Sequence, residues 1–215
     1  MELERCFVYV AARLGKAYRI TGDRKYLDFM FSEFKATTDY LFDKKSGLYY
    51  RDDNYIGKLD KGTKIFWSRG NGWVFAGLTD IIRELNKGSK EYKYFVKLYQ
   101  KMAKSLKKLQ TSDGYWAMSL EGAHLYPTPE TSGTGFFTYG MAWGVNNGFL
   151  DKDEYAAVAW KGWNALQRCV TENGMLGYVQ PIGAAPGSAW PDKTEVYGVG
   201  AYLSAGTEMY KLAGN

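Results

Sequence analysis

Phe66-Trp67-Ser68-Arg69-Gly70-Asn71-Gly72-Trp73 begins a local pattern that returns twice further along the chain. Thr131-Ser132-Gly133-Thr134-Gly135-Phe136-Phe137 and Val196-Tyr197-Gly198-Val199-Gly200-Ala201-Tyr202 each place a Gly-x-Gly pair ahead of an aromatic-rich apolar run. Gly70 and Gly133 stand 63 residues apart, and Gly133 and Gly198 stand 65 apart. A fixed period of that length marks a repeat architecture, in which one supersecondary unit stacks on the next.

Between these points the hydrophobic spacing is helical. Phe7, Val10, Ala11, Leu14 and Tyr18 share one face of a helix from about Glu4 to Ile20, which Thr21-Gly22-Asp23 breaks. Asp23 suits the cap of a second helix carrying Tyr26, Leu27, Met30, Phe31, Phe34 and Leu41. Asp43 to Gly47 reads as a turn, Leu48 to Arg51 as a short extended piece, and 52–63 as a polar loop. Further helices are expected over about 71–85, 90–109, 135–146 and 151–170, with a last one over about 198–212. The turn glycines Gly47, Gly114 and Gly174 keep the same rhythm. The chain therefore reads as all-α, with about seven helices in one domain over residues 1–215: three helical hairpins and one unpaired inner helix. Hairpins of this kind bury their inner helices against neighbours in a solenoid or a ring. An open row of hairpins exposes apolar end faces, so a homo-oligomer is one way to cover them.

Composition narrows the function. Aromatic residues make up 17% of the chain, with 18 Tyr and 7 Trp, more than a core requires and suited to sugar or protein contacts. The net charge of +5 favours acidic ligands weakly, and no dense Lys/Arg run points to nucleic acid. Cys6 and Cys169 lack metal or redox spacing, and a single histidine, His124, excludes a site built on several imidazoles. No run approaches the roughly 18 apolar residues of a membrane span. The first residues lack a signal-peptide pattern, which leaves cytoplasm and periplasm both open.

Helix starts offer free N–H donors and partial positive charge, and glycine admits a ligand closely, so a rim of such starts suits anionic groups. The same glycines equally serve close packing of helices, and the residues alone favour neither reading. Arg69 suits a carboxylate, or else the carbonyls ending a neighbouring helix. Trp67 and Trp73 flank the glycines where a sugar face could stack, and Trp116 follows the Asp113-Gly114 turn at a rim position. Tyr115 would face away from Trp116 if that segment is extended. Glu130 and Glu195 precede helix starts and read as caps. The Lys97, Lys101, Lys104 and Lys108 face is a wet outer surface.

The three repeats also match a known family. Phe66 to Val74 resembles the WxRGNGW motif of glycoside hydrolase family 105, a relative of family 88 that contains the unsaturated rhamnogalacturonyl hydrolases. Tyr126 to Phe136, Gln180-Pro181-Ile182-Gly183 and Thr194 to Ala201 are similar to its later signatures. The resemblance covers essentially the whole chain and implies an (α/α)6 toroid, here incomplete. It implies action on the unsaturated galacturonic acid that lyases leave at the end of pectin fragments, a small-molecule substrate with no metal or cofactor. It implies that an Asp protonates the C4–C5 double bond and activates water, and that Trp67, Arg69, Asn71, Trp73, Thr131 and Ser132 lie on the substrate side, where the repeat also places Trp116. The expected Asp falls near Arg5, where Glu4 is the nearest carboxylate, so the catalytic residue is left unassigned. The runner-up is a carbohydrate-binding protein that kept the rim without the acid.

Overall fold

The computed structural model describes residues 3–214, with side chains from Val10 onward. Among these it has seven α-helices: α1 Leu3–Thr21, α2 Arg24–Leu41, α3 Ser68–Glu84, α4 Lys90–Leu109, α5 Thr131–Asn146, α6 Lys152–Arg168 and α7 Val196–Gly214. Two short antiparallel pairs lie in the connections. Strand β1 (Phe42–Asp43) pairs with β2 (Leu48–Tyr49), and β3 (Leu59–Asp60) pairs with β4 (Thr63–Lys64). No described helix is long and apolar enough to cross a membrane.

The boundaries follow local chemistry. Asp23, Ser89 and Asp151 cap α2, α4 and α6 by accepting backbone N–H groups of the first turn. Gly47, Gly114 and Gly174 all take positive φ at the turns that lead into the extended pieces. Two expectations shift. The polar loop over 52–63 contains a short 3-10 turn and runs into the β3–β4 hairpin. Helices α3 and α5 start three and four residues earlier than their apolar runs, so the Gly-x-Gly pairs lie inside the first turns.

Packing explains that placement. Helix α1 packs on α3, α3 on α5 and α5 on α7, while α2, α4 and α6 cover the outside of α1, α3 and α5. A side chain at Gly72 would meet Phe136 of α5 at 3.0 Å, and one at Gly135 would meet Ala201 of α7 at 2.9 Å. Helices α3 and α5 thus each receive the next inner helix at the glycine pair. The four inner helices run parallel: Arg19 of α1 pairs with Glu84 at the end of α3, and Asn146 at the end of α5 bonds Glu208 near the end of α7. The aromatic excess fills the space between layers. Tyr99 of α4 stacks on Phe75 of α3 and donates to Gly140 O of α5 at 2.7 Å. Lys97, Lys101, Lys104 and Lys108 are exposed on the outside of α4.

This packing yields one direct prediction. A Cβ at Gly140 would lie 2.4 Å from the Phe75 ring, which Tyr99 and Phe137 hold in place. Gly140→Ala is expected to cost about 1–3 kcal/mol in urea denaturation, overpacking outweighing the gain in helix propensity. Gly200, with nothing within 4 Å, is the control. Gly200→Ala is expected to leave stability unchanged or raise it by up to about 1 kcal/mol.

Candidate functional site

The starts of α3, α5 and α7 are tied together at Gln180, a residue 4% exposed in the loop ahead of α7. Each polar group of Gln180 is used. Its Oε1 accepts from Trp67 Nε1 at 2.8 Å, and its Nε2 donates to Ala185 O at 2.7 Å. Its carbonyl accepts from Arg69 Nη1 at 2.5 Å and from the Tyr197 hydroxyl at 2.6 Å. Its backbone N–H points to Glu130 Oε1 at 3.4 Å. Arg69 Nη2 donates to Pro181 O at 2.9 Å, and its guanidinium lies between the rings of Trp67 and Tyr197. The fork of donors on Arg69 therefore fastens the loop over 177–191 to the start of α3.

Glu130 shows the complementary arrangement. Its carboxylate is fully buried and caps α5, accepting from Ser132 N at 3.0 Å and Gly133 N at 2.7 Å as well as from the Ser132 hydroxyl. A helix N-terminus is where a buried anion is best tolerated. The expected capping role of Glu130 is the observed one.

Several residues expected on the substrate side are enclosed instead. Trp116 is fully buried, donates Nε1 to Leu106 O at 2.7 Å and packs beside Phe137. It is a core wedge and not a subsite wall, because alternation in the extended piece turns it inward and Tyr115 outward to Pro127 O. Asn71, also fully buried, exchanges two hydrogen bonds with the Tyr49 backbone, pinning β2 to α3. The Thr131 hydroxyl donates to Gly177 O, and the Ser132 hydroxyl is bound to Glu130. Trp67 and Arg69 are 8% and 3% exposed. Of the seven, Trp73 is the half-buried one. The side chains of Glu4, Arg5 and Cys6 lie outside the described ones. His124 is exposed in a short 3-10 turn. Cys169 is a buried free thiol whose pKa burial pushes up to about 11. Among the described residues no cluster of His, Cys, Asp or Glu has the make-up to hold a metal ion.

Trp73 lines a cleft of about 190 Å³ into which all four inner helices project. Ala12 comes from α1, Trp73, Ala76, Gly77 and Asp80 from α3, Phe136 and Tyr139 from α5, and Ser204 from α7. The Trp73 and Phe136 rings are 4.3 Å apart at a tilt. Asp80 accepts from Arg83 Nη1 at 3.0 Å and is exposed, with 55% of its side chain accessible. The surrounding helices nevertheless strip enough water from its carboxyl to raise its pKa, against the pull of Arg83. Gln180, Tyr197 and Asp80 had no assigned role in the sequence. Gln180 lies in a segment matching a family signature, which was the available signal for it.

Known proteins resemble the chain throughout this architecture. It is 45% identical over 192 residues to an unsaturated 3S-rhamnoglycuronyl hydrolase of Alteromonas sp. (strain LOR), a match covering 89% of this chain and 46% of that protein. The structure of a glycosyl hydrolase family 88 protein from Bacteroides vulgatus superposes with a TM-score of 0.89 at 38% identity, covering 94% of this chain and 60% of that one. A possible GH105 family member from Salmonella enterica shares the fold, with a TM-score of 0.77 at 22% identity over 95% of this chain and 55% of that one. The chain spans about half the length of the curated relatives it matches. The fold is that of the helical toroid glycosyl hydrolases. The family model described as Glycosyl Hydrolase Family 88 matches residues 8–213, through all three glycine-marked helix starts and the Gln180 loop that joins them, and the chain belongs to that family.

Proposed function

We propose that this chain forms the substrate-holding side of a hydrolase that removes an unsaturated glycuronyl residue from the end of an oligosaccharide. The observation that carries the reading is the family match running through the Trp67–Arg69–Gln180–Tyr197 knot, which makes three helix starts into one rim beside the Trp73 cleft. The relatives' name adds rhamnose to the unit acted on, so an unsaturated glycuronyl-rhamnose disaccharide is the simplest substrate, with rhamnogalacturonan fragments as one source. In the reaction a carboxylic acid protonates C4 of the C4–C5 double bond and water adds at C5. The resulting hemiketal opens and releases the neighbouring sugar.

The test is loss of ultraviolet absorbance of the conjugated double bond on incubation with that disaccharide. Turnover that falls at least tenfold in kcat/KM in Trp73→Ala is the expected result. A second reading, a carbohydrate-binding protein without the acid, is favoured by Arg5 standing near the position where the family resemblance looks for Asp. Saturable binding of the disaccharide with no turnover would select it.

A further inference from the structure

We propose that the lysine face of α4, with the Lys44–Lys45 turn beside it, is a docking surface for a linear polyuronate, a polysaccharide that carries carboxylates along its length. The surface lies on the outer wall, away from the inner helices. It rests on the hydrolase reading only for the choice of a polysaccharide among polyanions.

Charge is concentrated on this one helix. Helix α4 holds seven lysines and a single acid, Glu91, a net charge of +6 against +5 for the whole chain. Glu91 is 2% exposed and paired with Arg24 at 3.0 Å, which leaves the outer face uniformly positive. Lys93, Lys97, Lys101, Lys104 and Lys108 follow one another by three or four residues. They fall within about 80° of the helix circumference and along about 22 Å of its axis. All five are exposed, and among the described residues none of them forms an ion pair.

A face that served only to meet water would be built as α2 is. There Arg24 pairs with Asp28 and Lys35 with Asp39, each four residues on. On α4 each of these lysines instead has a like charge three or four residues away, an arrangement that destabilises a helix. Such neighbours stand about 4.5–6 Å apart along the axis, inside the Debye length of about 8 Å at physiological salt, so salt does not remove the repulsion. A polyanion laid along the stripe neutralises several of the charges at once and releases the counterions condensed on itself.

The stripe widens toward the rim. Gly47, in the turn between β1 and β2, lies against Ser105 and Lys101 of α4, which brings the exposed Lys44 and Lys45 beside the stripe. Asp43, the acid of that turn, is occupied by Lys64 and by the backbone N–H groups of Lys45 and Ser46. Just beyond α4 the Trp116 N–H donates to Thr134 Oγ1 in the first turn of α5, so the Lys108 end of the stripe is the end nearer the rim. A chain held on the wall thus has a path to the rim where the helix starts converge.

The make-up of the face chooses among polyanions. None of the exposed large apolar side chains belongs to α4, whose apolar face is buried in the core, so nothing there enters a bilayer. For the same reason α4 presents no exposed ring on which a nucleic acid base could stack. Lysine ammoniums are flexible point charges that follow carboxylates spread along a sugar chain without needing a fixed geometry.

The test is fluorescence anisotropy of an end-labelled oligogalacturonate titrated with the whole chain at low salt, repeated with the fully methyl-esterified oligomer. Saturable binding of the acidic form is expected, lost on esterification and weakened as salt rises. Combining Lys97→Gln, Lys101→Gln, Lys104→Gln and Lys108→Gln is expected to weaken binding about tenfold, the sum of four exposed ion-pair contacts. The same loss of charge at scattered exposed positions, Lys16→Gln, Lys87→Gln, Lys161→Gln and Lys193→Gln, is expected to weaken it about twofold at most. Circular dichroism checks the folding of both, and the stripe variant, relieved of like-charge neighbours, is expected to melt no lower than the parent. The proposal is overturned by absence of binding, by equal binding of the esterified form, or by equal losses in the two variants. Tighter binding of single-stranded DNA or of phosphatidylserine vesicles than of the oligogalacturonate overturns it as well. The unsaturated disaccharide is too short to reach the wall, so its turnover is expected to be parental in the stripe variant. Polymer binding without turnover would keep the surface and remove the hydrolase reading, and turnover without polymer binding would do the reverse.

Discussion

Arg69→Ala is expected to lower the stability of the chain by about 3–5 kcal/mol and to loosen the loop over 177–191. The guanidinium is 3% exposed and serves Gln180 O, Pro181 O and the Tyr197 hydroxyl while filling the gap between two rings. Truncation leaves the Pro181 carbonyl without that donor and opens a cavity between Trp67 and Tyr197. Arg69→Lys is expected to cost less, about 1–2 kcal/mol, because one ammonium cannot reproduce the planar fork across two carbonyls. Chemical denaturation gives the loss, and hydrogen exchange of the 177–191 amides locates it. Unchanged stability together with lost sugar binding would instead make Arg69 a ligand contact, the role expected from the motif.

The second large effect is expected at Glu130. Glu130→Ala removes the cap of α5 and the acceptor of the Ser132 and Gly133 N–H groups, both buried. The two bonds of the cap are the two donors left orphaned, each costing about 1–3 kcal/mol when buried, so a total of about 2–6 kcal/mol is expected from urea denaturation. Glu130→Gln keeps the shape yet turns an amide NH₂ toward one of those donors, and is expected to recover about half of the loss. An acid of the reaction would behave differently. Its amide variant would retain stability and lose turnover, so the pair of measurements distinguishes a cap from a catalyst.

Much of the helical layout was legible because its signals are local. Asp23 is a cap, Gly47 and Gly174 take positive φ, and the lysines of α4 face water, each as its neighbours in sequence indicate. The start of α5 was misplaced because Thr131 to Thr134 are polar and look like loop, whereas Glu130 provides the cap that lets the helix begin there. The place of Trp116 after a turn suggests a rim residue. Its burial depends on α5 and α6 closing over it, with Gly162 close against the indole.

The repeat, the hairpin count and the family were determined by the sequence itself, since hydrophobic period, turn glycines and motif order act over a few residues at a time. The tertiary structure alone decided which polar side chains are spent on one another and which still face a cleft. Arg69 meets Gln180 across 111 residues and Tyr197 across 128, contacts that make it a loop clamp whatever it also holds. Asp80 is the converse, an ordinary helix carboxylate in sequence that the convergence of four helices places opposite an aromatic wall. Hydrogen-bond partners and desolvation are set by groups arriving from distant parts of the chain, and no local pattern encodes which of them arrive.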